Sequence, residues 1–125
     1  MLLDSHSVWW FLTNQKRIGK SLRQKLDRHQ VCFYSPATVF ELFQKSRKGK
    51  FRVPDNLVEL IQQAGLLELP LNSQHAHDSR FISSEIYDPF DRMLLAQAQC
   101  EKIDFYTSDS KIFSLGLDFV KDVAA

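Results

Sequence analysis

Four acidic side chains in this 125-residue sequence stand where their surroundings call for an explanation: Asp4, Glu41, Asp91 and Asp109. Asp4 closes the short apolar run Met1–Leu3, and Asp109 follows two residues after the run that ends in Thr107. Glu41 is the only charge between Ala37 and Phe43, among Val39, Phe40, Leu42 and Phe43, and an ionised carboxylate in apolar surroundings is costly unless paired or bound to a cation. It can equally share a polar helix stripe with Thr38 and Lys45. Asp91 comes three residues after Asp88, where an acid can complete a helix-start motif and a helix N-terminus can attract phosphate. If the four converge, two unit charges ~4 Å apart repel by roughly 4 kcal/mol near a protein surface, so the group demands a cation or raised pKa values. Oxygen-only donors favour a hard ion, Mg²⁺ or Mn²⁺, which can activate water and stabilise a leaving oxygen in phosphodiester hydrolysis.

Other chemistry is poorly supported. His75 and His77 form an HxH pair with no further His or Cys nearby in sequence, and a polar loop explains them. Cys32 and Cys100 lack metal-site spacing and read as reduced structural thiols. Four glycines supply no phosphate-cradling loop, and there is no GxSxG nucleophile elbow. Trp9, Trp10 and Phe11 suit core packing or a subunit contact better than base stacking.

The net charge of +1 conceals a division. Residues 1–52 hold eleven Lys and Arg against three acids, and residues 53–125 hold five against twelve. The basic residues fall in two clusters, Lys16 to Arg28 and Lys45 to Arg52, which suit a polyanion or, alternatively, solvated helix faces. No stretch approaches the roughly 18 apolar residues of a membrane span, so a soluble, cytoplasmic protein is expected. The length fits one domain over residues 1–125.

The elements that must position these acids alternate between strand and helix. Met1–Asp4 reads as a buried first strand. Ser7 is expected to cap the helix bearing Val8 to Leu12, and a basic amphipathic segment runs from about Gln15 to Arg28. Val31–Tyr34 reads as a strand, and Ser35 and Pro36 start a helix to about Arg47 that Gly49 ends. A helix from Pro54 to about Ala64, a strand over Leu66–Leu69 and a short helix near His75 follow. Asp88 and Pro89 open a helix to Cys100, Lys102–Thr107 is a strand, and Leu117–Val120 is the last. The alternation predicts an α/β fold, a mostly parallel sheet sandwiched by helices. In such sheets ligands bind beyond the carboxyl ends of the strands, which places Asp4 and Asp109 at one edge.

MLLDSHSVWWFL, SPATVFELFQKSRKGKFRVP, ELPLNSQHA, DPFDRMLLAQAQ and DFYTSD resemble, in this order and over nearly the whole chain, the successive motifs of VapC-type PIN-domain toxins. The family pattern places its four acids on Asp4, Glu41, Asp91 and Asp109. The resemblance implies a PIN-like fold, Mg²⁺ or Mn²⁺ dependence, endonucleolytic cleavage of RNA, homodimerisation, and inhibition by a cognate antitoxin. On this reading Asp4 and Asp91 hold the principal metal, Asp109 completes its shell, and Glu41 acts through water. Ser5, Thr107 and Ser108 assist by hydrogen bonding, and Lys45, Lys48, Lys50 and Arg92 are candidates for RNA contact. Two departures stand out: Ser5 replaces a common threonine, and Ile86 stands two residues before DPFDR where relatives often carry histidine. A housekeeping RNA or DNA nuclease, a receiver-like phospho-acceptor domain and a non-catalytic RNA-binding scaffold are the rival readings. The receiver pattern expects adjacent acids after strand one, where this chain has Ser5 and His6.

Overall fold

The computed structural model describes residues 1–125. Its centre is a five-stranded sheet built from β1 (Leu2–Leu3), β2 (Phe33–Tyr34), β3 (Leu67–Glu68), β4 (Phe105–Thr107) and β5 (Val120–Asp122). The order is β3-β2-β1-β4-β5 and every pairing is parallel, with Leu2 opposite both Phe33 and Phe105 and Leu3 opposite Tyr106.

Successive strand residues point to opposite faces, and each face has its own core. Leu3, Tyr34 and Tyr106 pack with Val8, Leu22, Leu42, Leu57 and Ile61. Leu2 and Phe105 pack with Ile86, Leu94, Leu95, Ala98 and Ile112, with Phe33 against them. The first layer is closed by α1 (Ser5–Thr13), α2 (Lys20–Asp27) and α4 (Leu57–Gln63), and the second by α5 (Ser73–Asp78), α6 (Pro89–Glu101) and α7 (Ser110–Phe113). Helix α3 (Pro36–Arg47) contributes Leu42 to one layer and Ala37 to the other. This is the PIN-like α/β sandwich expected from the sequence. No helix is long and apolar enough to cross a membrane.

Several boundaries differ from the sequence reading for local reasons. Asp4, not Ser7, caps α1: its side chain accepts from the Ser7 amide, so the helix starts directly at the strand end. The basic segment is not one helix. A 3₁₀ turn over Gln15–Arg17 gives way to extended Ile18 and Gly19 before α2 begins. Helix α4 starts at Leu57 because Pro54 opens a turn that closes on the Leu57 amide. The last strand falls at Val120–Asp122, where Val120 lies opposite Phe105, and Leu117 instead accepts from the Val120 amide in a turn. Helix α7, at four residues, is too short for periodicity to reveal.

Gly19 explains the break. Its amide donates to the Val123 carbonyl at 2.8 Å, and a Cβ on it would collide with the backbone of Ala124 and Ala125. Its φ of −76° is open to any residue, so the constraint is space alone. Gly19→Ala should therefore displace the segment after β5 and destabilise the fold by about 1–3 kcal/mol. A thermal midpoint equal to that of the wild type would show that this contact does not hold.

Candidate active site

The chain leaves β1 at Leu3 and β4 at Thr107, and because the two strands are parallel both exits lie at one edge. Asp4 is 5% exposed, and both of its carboxylate oxygens are engaged. Oδ1 accepts from the Ser7 amide at 2.9 Å, and Oδ2 accepts from the Thr107 hydroxyl at 2.6 Å. Burial holds the Asp4 pKa above the usual carboxylate range, although the bonds from Ser7 and Thr107 oppose that shift. Thr107 Oγ1 also accepts from the Asp109 amide at 3.1 Å, so one hydroxyl ties the β1 acid to the β4 acid. Asp109 in turn caps α7 through the Lys111 amide at 2.8 Å.

Glu41 reaches the same place from α3. Ser35 caps that helix and Pro36 occupies its first turn, as the sequence indicated. Which face is buried could not be read from the pattern: Thr38, Glu41 and Leu42 are inside, whereas Phe40 is 59% exposed. The buried carboxylate is compensated on both oxygens. Ser5 Oγ donates to Oε1 at 2.6 Å and is itself 3.1 Å from Thr38 Oγ1, while Lys45 Nζ lies 2.8 Å from Oε2. The Lys45 ammonium also stands 3.5 Å from His6 Nε2.

Asp91 comes from the first turn of α6, whose cap Asp88 accepts from the amides of Phe90 and Asp91. Asp88 thus performs the capping, which leaves the Asp91 carboxylate free to face the cleft. Burial, and then the negative charges of Asp88, Glu41, Asp4 and Asp109, push the Asp91 pKa up to about 7. The cleft itself measures about 540 Å³ and takes carboxylates from Asp4, Glu41, Glu85, Asp88, Asp91 and Asp109, against the ammonium groups of Lys45 and Lys111. Ser108 and Ile86 complete the wall named in advance. Ile86 is buried in the second core, so an apolar contact stands at the position of the absent histidine.

Four expected acids, from three helix starts or strand ends and one helix interior, therefore line one cleft. Glu85, Asp88, His6 and Lys111 line it too and were not singled out as site residues. Of these, Asp88 had a visible signal as a cap, and the others had none. The four acids offer oxygen donors, which a hard divalent cation prefers, with the His6 imidazole also on the wall of the cleft. The acids nevertheless stand apart: the trio of His, Cys or acidic residues whose ligand atoms fall within 4.8 Å of one another is His75, Cys100 and Glu101. That trio is poorly suited to metal. His75 Nδ1 accepts from the Asn72 amide, so Nε2 carries the proton it shares with Glu101 at 2.7 Å, and neither ring nitrogen has a free lone pair. His75 is a buried part of a capping box, not the loop residue its sequence context suggested. Cys32 is a buried free thiol whose pKa burial pushes up to about 12, as befits an unreactive position.

The guanidinium of Arg92, one of the expected RNA contacts, donates to the carbonyls of Ser79, Ile82, Ser83 and Ile86 at 2.7–3.0 Å, and so organises the segment ahead of α6. Four of its five N–H donors are thus engaged within the chain. Lys48 and Lys50 are exposed beside a smaller pocket that shares Glu41, Lys45 and Asp88 with the cleft. From the first basic cluster, Lys16 and Arg17 line a separate pocket with Ser108, which also lines the cleft, and Lys25 is turned away to Asp104.

The parallel five-stranded sheet with acids gathered at its carboxyl edge has the PIN-like α/β fold, and comparison with known structures agrees on that fold. A chain of a toxin-antitoxin complex from Klebsiella pneumoniae aligns with a TM-score of 0.68 at 17% identity, over 96% of this chain and 94% of that one. A chain of VapBC2 from Rickettsia felis, bound to a DNA fragment from their promoter, aligns with a TM-score of 0.68 at 12% identity, over 97% and 96%. No protein-family model matches the sequence, and no curated protein matches it either.

The raised Asp91 pKa has a consequence for stability. Between about pH 4 and 7 the folded, metal-free protein holds a proton that the unfolded chain releases, so stability falls as pH rises through this window. Asp91→Asn removes the titrating group. The variant should match the wild type near pH 4, exceed its thermal midpoint above pH 7, and show a flatter pH dependence. Loss of stability in the variant at pH 8 would contradict this account of the cleft.

Proposed function

We propose that this chain is a metal-dependent endoribonuclease, the toxin of a toxin-antitoxin pair, acting with Mg²⁺ or Mn²⁺. The observation that carries the reading is the convergence of Asp4, Glu41, Asp91 and Asp109 on one oxygen-lined cleft, with Asp4 and Glu41 buried and held by hydrogen bonds. A divalent cation would offset the repulsion among these carboxylates, which have only two lysines among them.

Asp4, Asp91 and Asp109 would hold the ion directly or through water, and Glu41 through water. When bound, such an ion supplies charge neutralisation of the scissile phosphate and a lowered pKa for attacking water. The chain's own residues do the positioning. Thr107 fixes one oxygen of Asp4 and the Asp109 backbone together, and Ser7 fixes the other oxygen. Ser5 and Lys45 orient Glu41. Lys16 and Arg17 beside Ser108, and Lys48 and Lys50 beside Glu41 and Asp88, supply positive charge next to an acidic centre, an arrangement that can lead a polyanion to it. Hydrolysis would leave a 5′-phosphate and a 3′-hydroxyl. A second copy of the chain, a cognate antitoxin and a cytoplasmic setting belong to this same proposal, supported by the fold shared with chains of toxin-antitoxin complexes.

The test is cleavage of a labelled single-stranded RNA by purified protein with Mg²⁺, Mn²⁺ or EDTA. Asp4→Asn, Asp109→Asn and Glu41→Gln should each cut the rate about 100-fold or more, equivalent to about 2.7 kcal/mol of barrier. EDTA should abolish cleavage and Mn²⁺ restore it. Undiminished cleavage in EDTA, or by Asp91→Asn with Mn²⁺, would sink the assignment.

A further inference from the structure

The aromatic side chain at Phe40 is on the wrong side of its helix for a core residue. Its neighbour Glu41 is buried while Phe40 is 59% exposed, so α3 has turned a charge inward and an aromatic ring outward. The exposed ring is not isolated. Phe90, from the first turn of α6, lies against it with ring centroids 5.8 Å apart and planes tilted by 35°. Phe90 also lines a pocket of about 170 Å³ together with Lys48 and Lys50. That is smaller than the roughly 300 Å³ at which self-sufficient small-molecule sites begin, so the pocket reads as one compartment of a longer ligand's path. The pocket and the acidic cleft share Glu41, Lys45 and Asp88, so whatever runs through one continues into the other.

We propose that Phe40 and Phe90 form a stacking platform for an unpaired base, and that Lys48 and Lys50 bind the adjoining phosphate. Together they select single-stranded RNA for the cleft. The inference rests on the nuclease reading above and adds which residues would hold an unpaired base beside the cleft. The two rings touch each other, so the base stacks on their outer surface. Stacking on an aromatic face tolerates any base, because every base has a π face, whereas the edges and faces of paired bases are occupied within a duplex. Charge favours a polyanion over a second protein chain here. Apart from the shared Glu41 and Asp88, which face the cleft, the compartment's polar lining is Gln44 and three lysines, which an apolar copy of the chain would have to desolvate.

The test uses Asp91→Asn protein, which should bind without cutting, with Mg²⁺ present. Fluorescently labelled A8, U8 and a short RNA duplex serve as probes in salt titrations. Phe40→Ala in this background should weaken binding of both single strands about 5- to 100-fold with an unchanged salt slope. Duplex binding should be unaffected. Lys48→Ala and Lys50→Ala should each reduce the logarithmic salt slope by about 0.7. Phe40→Leu, which keeps the apolar bulk without the π face, should resemble Phe40→Ala. Equal single-strand affinity with and without Phe40 would overturn the platform while leaving the nuclease reading intact. Sedimentation velocity adds a second refutation: conversion of a dimer to a monomer by Phe40→Ala would make the patch an interface between copies. No measurable binding of any RNA, with no cleavage by the wild type, would overturn both this inference and the nuclease reading.

Discussion

Carboxylates carried to one edge of a parallel sheet repel one another, and the rest of this structure is arranged around that repulsion. Three of the four acids are held by partners, and of these only Glu41 has a counter-charge, Lys45. Asp4 is fixed by the Ser7 amide and the Thr107 hydroxyl, Asp109 by the Lys111 amide, and Glu41 by Ser5 on one oxygen and Lys45 on the other. Asp91 has the fewest compensations, and burial followed by the negative charges of its neighbours pushes its pKa up to about 7. The fold supplies the rigidity to hold this geometry, since the strands that deliver Asp4 and Asp109 are hydrogen-bonded side by side.

Helix capping and site construction turn out to be the same set of bonds. Asp4, Asp88 and Asp109 each cap a helix that begins within or beside the cleft, so the amides that stabilise the helix starts also orient the acids. Loss of a cap would therefore disturb both local stability and the placement of charge. The guanidinium of Arg92 does comparable work for the segment before α6, gathering four carbonyls from residues 79–86 and holding Ile86 against the second core and the rim of the cleft.

The distribution of positive charge is equally specific. The sequence divides into a basic and an acidic half, yet in space Lys16 and Arg17 lie beside Ser108 and Lys48 and Lys50 beside Glu41 and Asp88, so both basic clusters border the acidic cleft. Such a pattern suits the proposed RNA substrate, with cationic groups guiding the backbone toward the proposed metal centre. The exposed Phe40 beside one rim would give that path a place to read an unpaired base.

The sequence by itself determined the alternation of strands and helices, the caps at Ser35 and Asp88, and the strand-end position of Asp4 and Asp109. These follow from local rules: apolar runs, proline at a first turn, a short polar side chain before a helix. Tertiary structure decided what local rules leave open. Periodicity could not say which side of α3 faces inward, because Val39, Phe40, Leu42 and Phe43 surround the helix, and only packing against both core layers buried Glu41 and exposed Phe40. It could not assign Arg92 to backbone carbonyls, find the four-residue α7, or show that Gly19 must lack a side chain because Ala124 and Ala125 press against it. Those outcomes depend on contacts between residues far apart in the chain, which no local pattern encodes.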